Sequence, residues 1–240
     1  MILRQKLTIS AMAVYALSLL ISTHISIPDI VYRADVSDKW LHFFAYLNLT
    51  FLVWHSIKPF NSPDWRKPLV WLILVFFLVF AAMDEITQPY FGRTADFYDF
   101  ASDSVGVLAG LVIFTFMSYW PSLMMALAIT IFSITNLAKA DLSKLVPVMN
   151  ALFNFLSYAF FTLIWIQVMK LYLFYKSQIH RFILALIIPV VFMLLVKAGS
   201  LLLKRHFGNS DLFFGALGIL AVCGGSLLKG FLKSQEKAGI

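Results

Sequence analysis

The sequence predicts an all-α protein, a polytopic membrane helix bundle of about eight spans. The 240-residue chain is 61% hydrophobic and only 13% charged, and its mean hydropathy is +0.85. Soluble domains are typically about a quarter charged, so this composition indicates a chain whose solvent is the lipid bilayer. Apolar segments long enough to span a membrane, about 20 residues each, follow one another from end to end.

Breaks rich in Pro, Gly and Asn separate most of these segments and mark their ends. Pro28, Pro59 and Pro89, for example, follow the first three segments. Arg4 and Lys6 precede the first segment as they would in a signal peptide, but a poor cleavage sequence follows it, so we expect an uncleaved helix. Spanning helices are predicted at 7–26, 38–57, 68–87, 100–118, 121–138, 148–171, 181–203 and 212–231.

The net charge of +7 predicts membrane topology rather than nucleic-acid binding, because Lys and Arg lie mostly between apolar segments. With a cytoplasmic N-terminus, 11 of the 19 basic residues fall on the inner side, which predicts that both termini are inside. Ten of the 12 acidic residues then fall on the outer side and suggest an outward-facing feature. The single cysteine, Cys223, excludes a disulfide framework and a cysteine metal site.

The two halves of the chain resemble each other at an offset of 112 residues, which predicts a parallel four-plus-four internal duplication. We therefore divide the chain into a four-helix domain, 1–118, and a degenerate repeat of it, 119–240. The aligned polar and glycine positions are Arg93 with Arg205, Asp99 with Asp211, and Gly106 with Gly218.

The second half lacks most of the polar residues of the first, so any functional site is predicted in the first half. In a frame shifted by one residue, Leu52-Val53-Trp54 of the second helix resembles Leu163-Ile164-Trp165. The replacements are Lys197 opposite Glu85, Ser200 opposite Gln88, Gly215 opposite Asp103, and Phe153 opposite His42.

Eleven polar residues of the first half are expected to meet at one membrane boundary. Ionisable groups at membrane depth are costly, and they are functional candidates by default. They open the second span (Asp38, Lys39, His42, Tyr46), close the third (Asp84, Glu85, Gln88, then Arg93) and open the fourth (Asp96, Asp99, Asp103).

Residue type assigns each of these side chains a role. Asp38, His42, Asp84 and Glu85 are candidate catalytic residues, because carboxylates and imidazole exchange protons and an Asp one turn from a His can fix its tautomer. No metal ligands are assigned, since the spacing matches no recognised pattern, although the carboxylates could instead hold a hard divalent cation that bridges a phosphate. The cofactor is left open. The candidate ligand-binding residues are Lys39, Tyr46, Gln88, Arg93, Asp96, Asp99 and Asp103.

Purely structural roles are an alternative for several of these residues. Asp38 and Asp96 are also suited to cap helices. Gly106 and Gly110 form a small-xxx-small pair that lets two helices approach closely. Arg93 could form an ion pair with a neighbouring carboxylate that does no more than hold the loop.

These blocks resemble the VanZ-like family of bacterial multi-span membrane proteins over about half of the chain, residues 7–118. One departure is Asp103, where the family pattern leads us to expect Asn. The resemblance implies a multi-pass protein of the bacterial plasma membrane and, through the family's namesake, a link to reduced susceptibility to teicoplanin; it implies no settled reaction. The blocks are Asp38-Lys39-x-x-His42-Phe43-x-x-Tyr46, Asp84-Glu85-x-x-Gln88, Arg93 with Asp96, and Asp99 with Gly106 and Gly110.

Three functions are compatible with these patterns. The first is recognition or modification of an anionic, lipid-linked or phosphate-bearing envelope molecule, held by Lys39, His42 and Arg93 with its tail among membrane lipids. The second is a transporter or flippase for an amphiphile, which the duplication favours. The third is a non-catalytic membrane scaffold in which the polar residues only join helices.

Overall fold

The computed structural model describes residues 3–24, 38–59, 61–92, 94–137, 147–173, 177–204 and 207–238. Within these ranges the chain consists of helices, turns and short irregular stretches, and it contains no strand, so the all-α prediction is confirmed. The chain divides into two compact units, Met1–Lys139 and Ala140–Ile240.

The first unit is built from helices that match the first five predicted spans. A 3-10 turn, Gln88–Phe91, extends the third helix, and a π-helical turn, Ser133–Leu137, extends the fifth. The helices are α1 (Leu3–His24), α2 (Asp38–Ile57), α3 (Pro68–Thr87), α4 (Phe97–Thr115) and α5 (Tyr119–Phe132).

The second unit contains, in its described part, the last three predicted spans. The division after residue 139 leaves α5 with the first unit, whereas the predicted boundary lies between residues 118 and 119. The predicted boundary between the two halves of the repeat, 1–118 and 119–240, therefore stays a prediction. The helices are α6 (Pro147–Tyr172), α7 (Gln178–Leu202) and α8 (Asn209–Ala238).

Six helices of the described chain are long and apolar enough to cross a membrane, which makes this a multi-pass integral membrane protein. They correspond to α3 through α8. The apolar part of α1 is shorter, Thr8–Ile21. Helix α2 is not among the six, and it carries five buried polar residues that lower its hydropathy: His42, Asn48, Thr50, His55 and Ser56. The polar residues that lower the hydropathy of α2 are therefore buried inside the first unit.

Helix α2 lies at the centre of the first unit, where it packs against α1, α4 and α5. The approach of α4 is close because two glycines face α2. A methyl group on Gly106 would collide with the carbonyl oxygen of Phe43, and one on Gly110 would lie 3.1 Å from Thr50 Cβ. Small residues that allow such contact are the usual basis of helix association in membranes. The glycine pair therefore sets the α2–α4 distance and brings their polar side chains together.

The connection between α3 and α4 is short and sharply defined. Pro89 lies in the first turn of the 3-10 segment, where its missing N–H costs nothing. Gly92 then ends the segment in the left-handed region, with φ +76°. Asp96 caps α4, since its side chain accepts a hydrogen bond of 2.8 Å from the backbone N–H of Tyr98. The carboxyl end of α3 and the amino end of α4 consequently lie side by side.

One close helix contact in the second unit corresponds to a contact in the first at the predicted offset of 112 residues. A methyl group on Gly218 would collide with the carbonyl oxygen of Phe155, just as one on Gly106 would collide with that of Phe43. These contacts join α6 to α8 and α2 to α4, and both residues of each contact are 112 positions apart. These two contacts agree with the offset of 112 residues, and the four-plus-four duplication stays a prediction.

The common offset corrects one predicted pairing. Phe43 and Phe155 are equivalent, so the residue equivalent to His42 is Asn154 and not Phe153. Asn154 also takes a related contact, since its Nδ2 lies 3.3 Å from Asp211 Oδ1. The error arose because the match of Trp-containing segments suggested a frame shifted by one residue, and the α2 helix follows the unshifted frame.

Candidate functional site

The candidate site lies where the amino ends of α2 and α4 meet the carboxyl end of α3. All three predicted polar clusters contribute to it. The side chain of Asp38 and the whole of Arg93 lie outside the described part of the chain. The predicted site residues that are buried here are His42, Tyr46, Asp84, Glu85, Gln88, Asp99 and Asp103, whereas Lys39 and Asp96 are half-buried.

Lys39 joins α2 to the start of α4. Its ammonium lies 2.5 Å from Asp99 Oδ1 and also forms an ion pair with Asp96. The hydrogen bond from Lys39 holds the pKa of Asp96 below its usual range. Asp96 is thus both the helix cap expected in the structural alternative and an ion-pair partner. The positive charge of Lys39 is shared between two carboxylates.

The imidazole of His42 lies between two carboxylates of α4 that are one helical turn apart. Its Nδ1 is 3.0 Å from Asp103 Oδ1, and its Nε2 is 3.8 Å from Asp99 Oδ2. A carboxylate beside one ring nitrogen fixes the tautomer and orientation of the ring. The sequence pattern predicts this role for Asp38, one turn earlier on α2, whose side chain lies outside the described part of the chain. Among the described residues, Asp103 lies in position to take the role.

The carboxyl end of α3 is tied to the loop before α4 through Glu85. Its Oε2 accepts a hydrogen bond of 2.8 Å from the backbone N–H of Asp96, and its Oε1 accepts one of 3.0 Å from Gln88 Nε2. Gln88 Nε2 also lies 3.5 Å from Asp84 Oδ2. The α3 carboxylates are therefore held in place on the side of α3 that faces the cluster.

Two buried polar atoms of the cluster have no hydrogen-bond partner within the described residues. They are the hydroxyl of Tyr46 and Oδ2 of Asp103, both on fully buried side chains. A buried polar group without a partner costs about 1–3 kcal/mol of stability. Groups of this kind call for an explanation, and an ion or ligand that completes their bonding is one such explanation.

Three side chains of the cluster approach one another as metal ligands do. His42, Glu85 and Asp103 each offer one donor atom, and these atoms lie within 4.8 Å of one another. The sequence pattern assigns no metal ligands, because the three residues come from three helices and have no characteristic spacing. Their convergence could be found only from the packing of α2, α3 and α4.

Exposed aromatic side chains surround the same end of the three helices. Aromatic residues concentrate at the depth of the lipid head groups, where their rings meet both apolar and polar surroundings. Aromatic side chains grouped in this way are typical of residues at head-group depth. The members of this aromatic belt are Trp40 on α2, Tyr90 and Phe91 after α3, and Phe97 and Tyr98 on α4.

Comparison with known proteins gives one match. A family model described as VanZ/LLP1 matches residues 4–118. Neither the curated proteins nor the solved structures gave a match. The matched segment contains the whole of the candidate site.

Proposed function

Because residues 4–118 are a VanZ-like segment, we propose that this membrane protein recognises an anionic, lipid-linked molecule of the bacterial cell envelope. The head group of this molecule binds at the α2–α3–α4 cluster at the outer face of the plasma membrane, and its tail lies among the membrane lipids. The observation that carries the proposal is a buried mixed-charge cluster, at the depth of an aromatic belt, that retains unpartnered polar atoms.

Unpartnered polar atoms alone do not separate a binding site from a structural cluster, since Ser122 Oγ and Ser133 Oγ, outside the cluster, also have no hydrogen-bond partner within the described residues. In the cluster, Asp103 Oδ2 and the Tyr46 hydroxyl keep hydrogen-bonding capacity among buried charged side chains. A bound head group or ion would use that capacity.

His42 makes modification of the bound molecule chemically accessible. An imidazole positioned by a carboxylate acts as general base or acid near neutral pH. His42 Nδ1 faces Asp103 and its Nε2 faces Asp99, so a proton taken up by the ring is stabilised on either side. We therefore assign His42 the proton-transfer role, with Asp103 as its positioning residue.

Binding in lipid nanodiscs tests the proposal. Native mass spectrometry would compare a polyprenyl phosphate with the neutral polyprenol of the same length, so that only the charged head group differs. We expect the phosphate to bind at least tenfold more tightly, and His42→Ala to remove this preference. Asn154→Ala, at the equivalent position of the second unit, is the matched control. Equal binding of the two lipids, or an unchanged preference in His42→Ala, would overturn the proposal.

A transporter or flippase is the second candidate, and the repeated α2–α4 and α6–α8 geometry favours it. Transport requires that the amphiphile cross the membrane rather than only bind to one side of it. A fluorescent polyprenyl phosphate in proteoliposomes would report this movement as time-dependent protection from an external quencher. Protection that is no faster than in protein-free liposomes would exclude transport while leaving recognition intact.

A further inference from the structure

We propose that His42, Glu85 and Asp103 bind one divalent first-row transition-metal ion at the junction of α2, α3 and α4. Each residue contributes one donor atom, and these atoms lie within 4.8 Å of one another. The three side chains are 8%, 6% and 0% exposed. A set of one imidazole and two carboxylates, one from each of three packed helices, can surround a single ion.

The carboxylate of Asp103 also favours a cation. It is fully buried, and its Oδ2 makes no hydrogen bond of good geometry with the described residues, although the Tyr46 side chain interacts with the same carboxylate. The other oxygen of the same carboxylate lies 3.0 Å from His42 Nδ1. A metal ion beside Asp103 would give the orphan oxygen the positive partner that its burial requires.

Charge balance within the described residues supports the same assignment. Lys39 is the only permanent cation among the described residues of the cluster, and Asp96 and Asp99 already share it. The carboxylates of Glu85 and Asp103 are buried as well. A divalent ion would neutralise both, whereas two uncompensated buried carboxylates would be strongly unfavourable.

The surroundings of the three ligands resemble the outer shell of a metal site. Metal-bound His usually presents its second ring nitrogen to a carboxylate, and metal-bound carboxylates are themselves hydrogen-bonded. His42 has Nδ1 towards Asp103 and Nε2 at 3.8 Å from Asp99, which Lys39 holds. Glu85 accepts hydrogen bonds from Gln88 and from the backbone of Asp96. Asp99 is therefore a positioning residue for the imidazole, and in the metal-bound state His42 is a ligand and not the proton-transfer group.

The donor set defines the class of metal. Mg²⁺ and Ca²⁺ prefer oxygen ligands only, whereas imidazole suits first-row transition metals. One imidazole with two carboxylates favours Mn²⁺ or Zn²⁺. Three protein ligands leave a coordination position open, as catalytic zinc sites do. If the proposed function holds, a phosphate oxygen of the head group occupies that position, and the metal overcomes the repulsion between an anionic ligand and an acidic cluster.

The second unit lacks all three ligands while keeping the scaffold. The positions of His42, Glu85 and Asp103 are taken by Asn154, Lys197 and Gly215. Lys197 brings a cation of its own and donates to the carbonyl oxygen of Phe207. The Tyr158 hydroxyl of the second unit has no hydrogen-bond partner among the described residues, and neither has the equivalent Tyr46 hydroxyl of the first unit. The unpartnered atom that belongs to one of the three proposed ligands is Asp103 Oδ2.

Steric packing also disfavours a carboxylate at position 215. A Cβ on Gly215 would lie 2.9 Å from Met193 Sδ and 2.9 Å from a ring carbon of Tyr158. A carboxylate there would need room that sulfur and the aromatic ring already fill. The proposal therefore predicts one metal ion per chain, in the first unit.

The full chain, purified in detergent and stripped with a chelator, provides the test. Isothermal titration with Mn²⁺ or Zn²⁺, together with the electron paramagnetic resonance signal of bound Mn²⁺, would measure affinity and stoichiometry. We expect one ion per chain, at least tenfold weaker binding in Asp103→Asn and Glu85→Gln, and a 10- to 100-fold loss in Asp99→Asn. Asn154→Ala should bind as the unaltered protein does.

Two outcomes would overturn the metal site. One is the absence of saturable binding to the unaltered protein, a result that needs no variant and no assumption about folding. The other is equal binding by Asp103→Asn and Glu85→Gln, which would reveal adventitious ions only. Selective binding of polyprenyl phosphate to metal-free protein would leave the proposed function standing while the metal site fails, so the two proposals are separable.

Discussion

His42 on α2 and Asp103 on α4 lie 3.0 Å apart, Nδ1 to Oδ1, in the buried interior of the first unit. The contact exists because Gly106, one turn beyond Asp103, admits the backbone of α2 at Phe43. The polar pair therefore depends on a glycine that carries no functional group. The distance between α2 and α4 therefore determines whether His42 and Asp103 are in contact.

Gly106→Ala should separate α2 from α4 and destabilise the protein by about 1–3 kcal/mol, the usual cost of overpacking a closely packed interior. The Cβ would meet backbone rather than a flexible side chain, so rotamer changes cannot relieve the collision. Chemical unfolding in mixed micelles would measure the loss.

Gly224→Ala is the matched control for Gly106→Ala, because a Cβ at this α8 position meets nothing within 4 Å. Gly218→Ala should behave like Gly106→Ala, since it meets the carbonyl oxygen of Phe155. Equal stability of Gly106→Ala and Gly224→Ala would contradict the described α2–α4 contact.

Glu85→Gln separates a scaffold role from a binding role. An amide can replace only one of the two carboxylate acceptors, so one hydrogen bond to Gln88 or Asp96 is lost and stability should fall by about 1–3 kcal/mol. If the cluster binds a ligand, affinity should fall at a temperature at which the variant remains fully folded. Loss of stability with unchanged affinity would instead favour the scaffold alternative.

The Lys39–Asp96 ion pair should make stability sensitive to acid. The folded-state pKa of Asp96 is lowered from the ordinary value of 3.8, with the hydrogen bond from Lys39 as its first cause. A lowered carboxyl pKa contributes stability above the ordinary pKa, and this contribution is lost as the pH falls through the lowered value. Unfolding temperature measured from pH 6 downward should therefore fall less steeply below about pH 4 in Lys39→Ala than in the unaltered protein. Parallel curves for the two proteins would contradict this pairing.

Labelling in intact cells would locate the site relative to the membrane. Tyr90, at the end of α3, is 84% exposed and belongs to the aromatic belt around the cluster. In a Cys223→Ser background, Tyr90→Cys should react with a membrane-impermeant maleimide added outside the cell, since the charge pattern predicts an outer location. The basic loop residue Lys67, changed to Cys, should react only after the membrane is permeabilised. The reverse pattern would place the cluster on the cytoplasmic side.

Much of the fold could be predicted from the sequence because its signals are local. Spanning length and helix-breaking residues act within one segment, so each of the eight predicted spans overlaps a helix of the described chain. Local spacing also showed that His42 and Tyr46 share a face of α2. The three polar clusters are expected to lie close together because they occupy helix ends at the same predicted membrane boundary.

Side-chain partners could not be predicted in the same way. The partner of His42 depends on the rotation and separation of α2 and α4, which Gly106 and the carbonyl of Phe43 determine. Spacing within α2 alone favoured Asp38, the nearest carboxylate in sequence. The grouping of His42, Glu85 and Asp103 likewise depends on three helices at once, and no pattern within one segment contains it.

The crowding of Gly215 by Met193 and Tyr158 has a consequence for the number of ligands that one chain can bind. A duplicated membrane protein would ordinarily be expected to offer two equivalent sites, whose occupancies could influence each other. Here the second unit has a glycine in a crowded position where the first has Asp103, so a ligand of the proposed site should bind once per chain. Its saturation curve should be a simple hyperbola, and any sigmoidal shape would have to arise from association between separate copies of the protein.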